Sequence, residues 1–213
     1  MSAGAGHSKR AFDVGGALAG ILLAAPIMVI IATVVTLESG WPFVFAQPRL
    51  GRSGRQFRVY KFRKFRRDVG DEGPGVTVAD DPRMTWVGKA LERSKLDELP
   101  QLWNVLCGDM SLVGPRPESL RFADLFVGPH RALLDFAPGL FGPSQHYAID
   151  ESANYPRSVD PEQHYRDVLF ATKAKIDLDY YPTATAASDL RWSLRCIIAA
   201  IRRSLSALRD PRQ

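Results

Sequence analysis

The chain has 213 residues, of which 46% are hydrophobic and 24% are charged, a balance typical of folded globular proteins that excludes wholesale disorder. Two cysteines are too few for a disulfide framework, and no Cys/His spacing suggests a zinc site. The net charge of +5 comes from the N-terminal third, since residues 1–67 hold 11 of the 28 lysines and arginines but two of the 23 acidic residues.

The first predicted element is an uncharged run of 24 residues from Val14 to Leu37. As a helix it would be about 36 Å long, enough to cross a hydrocarbon core of about 30 Å. Pro26 bends a helix, and both flanks of the run are basic, so the positive-inside rule places both in the cytoplasm. We therefore predict that residues 1–40 form a re-entrant membrane helix, broken at Ala25-Pro26, that returns to the side from which it entered.

Three other interpretations of this run stay open. A single membrane-spanning helix with a proline kink is the main alternative. A cleaved signal peptide fits less well, because no small-residue cleavage site closes the run before Glu38. A buried core helix is disfavoured by the length of the run.

Residues 41–213 are predicted to form a mainly α cytoplasmic domain with a small β-hairpin and amphipathic helices at the membrane surface. Aromatic and β-branched residues at Phe43–Gln47 and Gln56–Tyr60 flank a turn-like segment, which favours the hairpin. Helices are predicted over 86–96, 99–107, 117–127, 161–181 and 188–208, with a loop over 138–143. Within the second helix one apolar face is predicted from the spacing of Leu99, Leu102, Trp103 and Leu106.

The dipeptide Asp-Glu occurs three times, at Asp71-Glu72, Asp97-Glu98 and Asp150-Glu151, and each is interpretable as a solvated surface pair. Asp97-Glu98 differs from the others because it lies between apolar Leu96 and Leu99 at a predicted helix start, where carboxylates stay ionised. An ionised carboxylate can act as a nucleophile or bind Mg²⁺. This pair is therefore the candidate reactive site.

Two features predict the binding of anions. Arg116 lies between Pro115 and Pro117, which lowers the entropic cost of directing its guanidinium at a phosphate. An ion pair between Arg116 and Glu118 is the alternative. The basic segment 49–67 suits phosphates or lipid head groups, while a solvated hairpin face and nucleic-acid binding remain open for it.

The segments LDELPQLWNVL (96–106) and GDMSLVGPRPE (108–118) closely resemble the signature of the bacterial sugar transferases. These are monotopic phosphoglycosyl transferases that start glycan assembly on polyprenyl phosphate. Shorter matching stretches lie at 9–13, 47–51, 60–63, 81–85, 138–145 and 178–181, so the resemblance covers about residues 9–200.

The resemblance implies transfer of a sugar phosphate from a UDP-sugar to undecaprenyl phosphate, with release of UMP, at the cytoplasmic face of the bacterial inner membrane. It implies that Asp97 is the nucleophile, forming a phosphosugar ester, and that Asp97 and Glu98 bind Mg²⁺. Lys61, Arg63 and Arg116 match positions expected near anionic substrate groups. The expected partners are both substrates and inner-membrane lipids, without nucleic acid, and a homodimer stays open.

Three positions depart from the family pattern. Ala25-Pro26 replaces the usual Ser-Pro at the helix break, and Lys64-Phe65 replaces a small residue followed by Met. Glu92 stands where the family commonly has an arginine, and we predict that the neighbouring Arg93 binds the acceptor phosphate instead.

Two other functions remain as alternatives. A membrane-attached nucleic-acid-binding or scaffold protein would use the basic segment 49–67, bind oligonucleotides in a salt-sensitive way and have no need of Asp97. A glycosyltransferase that moves the sugar alone would release UDP rather than UMP.

Overall fold

The computed structural model describes residues 3–67, 76–78, 81–153, 155–156 and 158–209. Its α-helices are α1 (Ala3–Ser39), α2 (Trp86–Ser94), α3 (Gln101–Cys107), α4 (Pro143–Tyr147), α5 (Pro161–His164), α6 (Phe170–Tyr180) and α7 (Ala186–Arg209). The strands are β1 (Val44–Leu50), β2 (Gln56–Phe62), β3 (Ser111–Val113) and β4 (Gly139–Phe141). The predicted mainly α fold with a small hairpin is confirmed.

Short 3₁₀-helices connect these elements, and a π-helix at Tyr165–Leu169 continues α5 into α6. The 3₁₀ segments are Arg52–Gly54, Leu96–Glu98, Leu120–Leu125, Gly128–Asp135, Glu151–Ala153 and Tyr181–Thr183. The helix predicted over 117–127 is therefore wrong in type and start, because Ser119 is extended and its side chain caps the 3₁₀-helix that follows.

The hairpin pairs β1 with β2 in antiparallel register, with Val44 opposite Phe62 and Leu50 opposite Gln56. Both strands extend further than predicted. Strand β1 continues through Pro48, which a two-stranded ribbon tolerates at its open edge, and β2 continues to Phe62. The fully buried Asn104 of α3 donates to the carbonyl of Arg58 at 2.7 Å and accepts from the Tyr60 N–H at 3.0 Å. These two bonds fix β2 beside α3.

A parallel pair of short strands replaces the loop predicted over 138–143. Ser111 of β3 lies opposite Gly139 of β4, and Val113 lies opposite Phe141. The prediction was wrong because two glycines between prolines have the composition of a turn. Here glycine instead permits close backbone approach, since a Cβ at Gly139 would lie 2.0 Å from the Gly114 nitrogen.

Helix α3 follows Pro100 and ends at Gly108, whose φ of +89° closes the helix as predicted. Its predicted apolar face is wrong at Trp103, which is 57% exposed. Polar Asn104 is buried in its place, and the hairpin backbone satisfies its amide.

Helix α1 forms part of the core of the domain. Ala17 packs in one cluster with Val59 and Leu102, while Ile31 and Val35 pack in another with Phe62. A further cluster, around Phe122, Leu133, Tyr165 and Phe170, lies under α6.

Both ends of α1 contact the same domain. Near the N-terminal end, the Lys9 ammonium donates to Asp189 at 2.6 Å, and Asp13 accepts from the Leu112 N–H at 2.9 Å. At the C-terminal end, the Ser39 carbonyl accepts from the Arg63 guanidinium at 2.9 Å. The middle of the helix projects apolar side chains outward, at Leu22, Leu23, Val29 and Ile30.

The helix continues through Ala25 and Pro26 as one element, so the two predicted halves are not separate helices. Proline removes one backbone donor, and the bonds on either side maintain the helix. Within the described residues, α1 is the one helix long and apolar enough to cross a membrane by length and composition. Its path through the bilayer stays a prediction.

Candidate active site

The acidic pair lies in the connection between α2 and α3. Lys95 adopts a left-handed conformation with a φ of +59°, which ends α2 and turns the chain into the 3₁₀-helix Leu96–Glu98. Asp97 is 2% exposed and Glu98 is 9% exposed, so neither is a solvated surface residue. Helix α3 begins three residues after Glu98 and its N-cap is Pro100, so neither carboxylate caps this helix.

Glu98 is neutralised by two cations from different parts of the chain. Its Oε1 accepts from the Lys61 ammonium of β2 at 2.7 Å and from the Arg116 guanidinium at 3.1 Å. Burial opposes ionisation, but the attraction of Lys61 and Arg116 outweighs it and holds the pKa of Glu98 well below its usual range. The alternative pairing of Arg116 with Glu118 is not the one that the structure has.

The Asp97 carboxylate has fewer hydrogen-bond partners than that of Glu98. Its Oδ1 is buried and has no hydrogen-bond partner among the described residues. Burial raises the pKa of this carboxyl, and the positive charges of Lys64 and Lys61 oppose that rise. A buried carboxylate oxygen without a partner is unusual in a folded protein, and a bound ligand would satisfy it.

Two cavities meet at Asp97. The first, of about 220 Å³, has Glu98 and Arg116 in its wall, together with Glu151 and Lys173. The second, of about 370 Å³, lies beside the hairpin and is strongly basic. Its cationic lining residues are Arg49, Lys61, Arg63, Lys64, Arg66, Arg67, Arg83 and Arg121. Asp97 is one of six described residues that line both cavities, together with Arg49, Lys61, Lys64, Val76 and Thr77.

Sequence reasoning missed a second polar cluster in the wall of the first cavity. Lys173 is 4% exposed, and its ammonium donates to Glu151 at 3.1 Å and to the Tyr165 hydroxyl at 3.0 Å. The same ammonium lies 3.6 Å from Glu118. Glu151 therefore does not behave as a solvated surface residue, whereas the Asp71-Glu72 pair lies outside the described residues.

Two predicted phosphate-binding arginines lie apart from the acidic pair. Arg63 donates to the Ser39 hydroxyl and to the carbonyls of Ser39 and Gly40, so it closes the end of α1. Arg93 lies in the last turn of α2 and lines neither cavity among the described residues. Its role toward the acceptor phosphate stays a prediction.

Glu92 itself lines the first cavity. Its carboxylate lies 3.6 Å from the Arg203 guanidinium of α7 and 3.7 Å from the Lys95 ammonium, and it accepts from the Ser152 hydroxyl at 3.0 Å. The attraction of these cations outweighs burial and lowers the pKa of Glu92. Arg203 thus places a guanidinium beside Glu92, more than a hundred residues away in the sequence.

The carboxylates suit a metal ion that is shared with a substrate. Within the described part of the chain, no group of three or more His, Cys, Asp or Glu side chains is placed to enclose a metal. Mg²⁺ is commonly held by one or two carboxylates together with substrate phosphates. The adjacent Asp97 and Glu98, with the unpartnered Asp97 Oδ1, fit that pattern.

Comparisons with known proteins identify a family and several relatives. The model of a family described as bacterial sugar transferase matches residues 5–203. A UDP-glucose:undecaprenyl-phosphate glucose-1-phosphate transferase of Caulobacter vibrioides is 34% identical over 194 residues, covering 89% of this chain and 68% of the relative.

Two further relatives match over shorter segments. A UDP-N-acetylgalactosamine-undecaprenyl-phosphate N-acetylgalactosaminephosphotransferase of Aeromonas hydrophila is 44% identical over 118 residues, 55% of this chain and 28% of the relative. The exopolysaccharide production protein PSS of Rhizobium leguminosarum bv. phaseoli is 47% identical over 109 residues, which cover 51% of this chain and 54% of the relative. The chain thus matches between 28% and 68% of the lengths of these three relatives.

Proposed function

Since this chain belongs to the bacterial sugar transferase family, we propose that it transfers a sugar phosphate from a UDP-sugar to undecaprenyl phosphate and releases UMP. The observation that carries the proposal is the buried Asp97-Glu98 pair, with one carboxylate neutralised by Lys61 and Arg116 and the other keeping an oxygen without a partner. The names of the relatives differ in the sugar, so the proposal extends to the class of UDP-sugars.

In the first half-reaction, an Asp97 carboxylate oxygen attacks the phosphorus next to the sugar. The bond from this phosphorus to the bridging oxygen breaks, UMP leaves with that oxygen, and the sugar phosphate is esterified to Asp97. Lys61 and Arg116 place positive charge beside the attacked group, which stabilises the negative charge that develops on its oxygens.

In the second half-reaction, a phosphate oxygen of undecaprenyl phosphate attacks the same phosphorus. The bond to Asp97 breaks, the carboxylate is regenerated, and the product is a sugar joined to undecaprenyl diphosphate. A covalent intermediate lets a water-soluble donor and a lipid acceptor use one reactive group in turn.

Asp97 and Glu98 would hold Mg²⁺ together with the substrate phosphates. When bound, the ion would neutralise phosphate charge that otherwise repels an attacking carboxylate. Lys61 and Arg116 fix the Glu98 side chain, so its orientation does not depend on the ion.

We also propose that the chain is monotopic and lies at the cytoplasmic face of the bacterial inner membrane. The contacts of Lys9 with Asp189 and of Ser39 with Arg63 support this, because a helix held by one domain at both ends does not place those ends on opposite sides of a bilayer. Amphipathic α7 exposes a second apolar surface, made of Leu190, Leu194, Ile197, Ile198, Ile201 and Leu205.

The decisive experiment measures the nucleotide released when purified protein is supplied with Mg²⁺, undecaprenyl phosphate and each of a panel of UDP-sugars. We expect UMP with at least one sugar, and no release by Asp97→Asn. Release of UDP would instead indicate transfer of the sugar alone. Salt-sensitive oligonucleotide binding without any nucleotide release would favour the nucleic-acid-binding alternative.

A further inference from the structure

The backbone at Lys64 is fixed against the start of α2. Its carbonyl accepts from the Thr85 N–H at 2.9 Å, and the next residue, Phe65, forms a β-bridge with Met84. Gly88 makes this contact sterically allowed, because a Cβ there would lie 2.0 Å from the Lys64 carbonyl oxygen. The position of Lys64 relative to the acidic pair is therefore set by α2, which leads directly into that pair.

The side chain of Lys64 lines both cavities, as Asp97 does. Its ammonium donates to the Thr77 hydroxyl at 3.3 Å and lies 5.3 Å from the centre of the Phe65 ring. Burial raises the pKa of the Asp97 carboxyl, and the positive charge of Lys64 opposes that rise. Lys64 and Asp97 therefore lie in the walls of the same two cavities.

Two neighbouring basic side chains form direct contacts with other groups of the protein. Lys61 is paired with Glu98, and Arg63 is bound to the end of α1. Among the described residues, no carboxylate forms a salt bridge with Lys64 within 4.0 Å, and its hydrogen-bond partner Thr77 is uncharged. Lys64 is partly buried, and an anionic ligand beside its ammonium would offset the partial loss of hydration.

We infer that Lys64 is a further phosphate-binding residue of this site, and that its ammonium holds the non-bridging oxygens of the transferred phosphoryl group in both half-reactions. The inference rests on the function proposed above. It follows from position, because the phosphoryl group is next to Asp97 when it is attacked, remains bonded to Asp97 as the ester, and leaves from Asp97. Lys64 lines the same two cavities as Asp97, which places its positive charge in the wall around that group in both steps.

The test separates the two half-reactions in the full-length protein. Formation of the Asp97 adduct is followed by mass spectrometry with UDP-sugar and Mg²⁺ and no acceptor, and discharge of the preformed adduct is followed after addition of undecaprenyl phosphate. We expect Lys64→Met to slow both steps by at least about tenfold, the scale of losing one charged phosphate contact. Lys64→Arg should recover most of both rates.

Two variants distinguish binding from folding. Lys64→Gln keeps a donor for Thr77 and loses the charge, so it should fold like the wild type and be as slow as Lys64→Met. Lys175→Met removes the charge of an exposed lysine on α6 and should match the wild type in both steps.

Wild-type rates in either half-reaction of Lys64→Gln would overturn the assignment of Lys64. This result is distinct from failure of the proposed function, in which the wild-type protein itself would form no adduct and release no UMP.

Discussion

Asp97 and Glu98 are adjacent in the chain and have different surroundings. In a 3₁₀-helix successive side chains point about 120° apart, so two neighbouring carboxylates face different groups. Glu98 points at Lys61 and Arg116, whereas Asp97 keeps an unpartnered oxygen where the two cavities meet. One carboxylate is therefore anchored, and the other is available for reaction.

The first prediction concerns the nucleophile. Asp97→Asn keeps the size of the side chain and removes its charge, so turnover should fall by several orders of magnitude. Because burial disfavours the charged form of Asp97, the variant should unfold at the same temperature as the wild type or a higher one. Asp150→Asn, at a half-exposed carboxylate, is the control and should stay close to wild-type turnover. Near-normal turnover of Asp97→Asn would refute the covalent mechanism.

The second prediction concerns Glu98, the neighbour of the proposed nucleophile Asp97. Glu98→Gln leaves Lys61 and Arg116 without their shared counter-charge, so the variant should lose about 3 kcal/mol of unfolding free energy as well as activity. Thermal unfolding in detergent provides the measurement. Equal stability of Glu98→Gln and Asp97→Asn would contradict the division between an anchored and a reactive carboxylate.

At the scale of elements, local patterns predicted the hairpin, the helix after Pro100 and its end at Gly108. They missed β4 and the burial of Asn104, because both depend on hydrogen bonds to backbone distant in the sequence. The residues of the candidate site also divide into those that a local sequence pattern predicted and those that it missed. The acidic pair and Arg116 lie in one contiguous sequence motif. In contrast, Glu151, Lys173 and Arg203 are brought to the site by tertiary packing, which no local sequence pattern reveals.

The third prediction concerns the contact between α4 and α6. Asp177 of α6 accepts from the Ser144 hydroxyl of α4 at 2.8 Å, and burial raises the pKa of Asp177 to about 7. An unfolded aspartate has a pKa of about 3.9, so the folded state binds this proton more tightly. The resulting stability is full below about pH 4 and is lost as the pH rises through about 7.

The free energy of unfolding should therefore fall between about pH 4 and 7, and Asp177→Asn should flatten that dependence. Denaturant titrations at several pH values measure how the free energy of unfolding depends on pH. Asp179→Asn changes an exposed carboxylate on the same helix and should leave the pH dependence intact. A pH dependence that persists unchanged in Asp177→Asn would assign it to another group.

At the scale of the whole molecule, apolar side chains are exposed on two long helices, α1 and α7. On α1 the outward residues lie between two segments that pack into the domain, as the proposed monotopic topology requires. Exposed arginines accompany the apolar face of α7, at Arg191, Arg195 and Arg202, and suit anionic head groups.

The fourth prediction tests this topology by labelling. In a Cys107→Ser, Cys196→Ser background, Ala11→Cys and Ser53→Cys each carry one exposed thiol, on opposite sides of the apolar run. A membrane-impermeant maleimide should label neither in intact cells and both after permeabilisation. Labelling of residue 11 in intact cells would show that α1 crosses the membrane.

The burial of Ala17, Ile31 and Val35 has a practical consequence for producing this protein. A fragment that begins at residue 41, made to obtain a water-soluble enzyme, would expose Leu102 and Phe62 to solvent and leave Asp189 without Lys9. Such truncation would remove part of the core along with the membrane contact. Solubilisation that retains the first helix, in detergent or nanodiscs, is therefore the route expected to yield folded material.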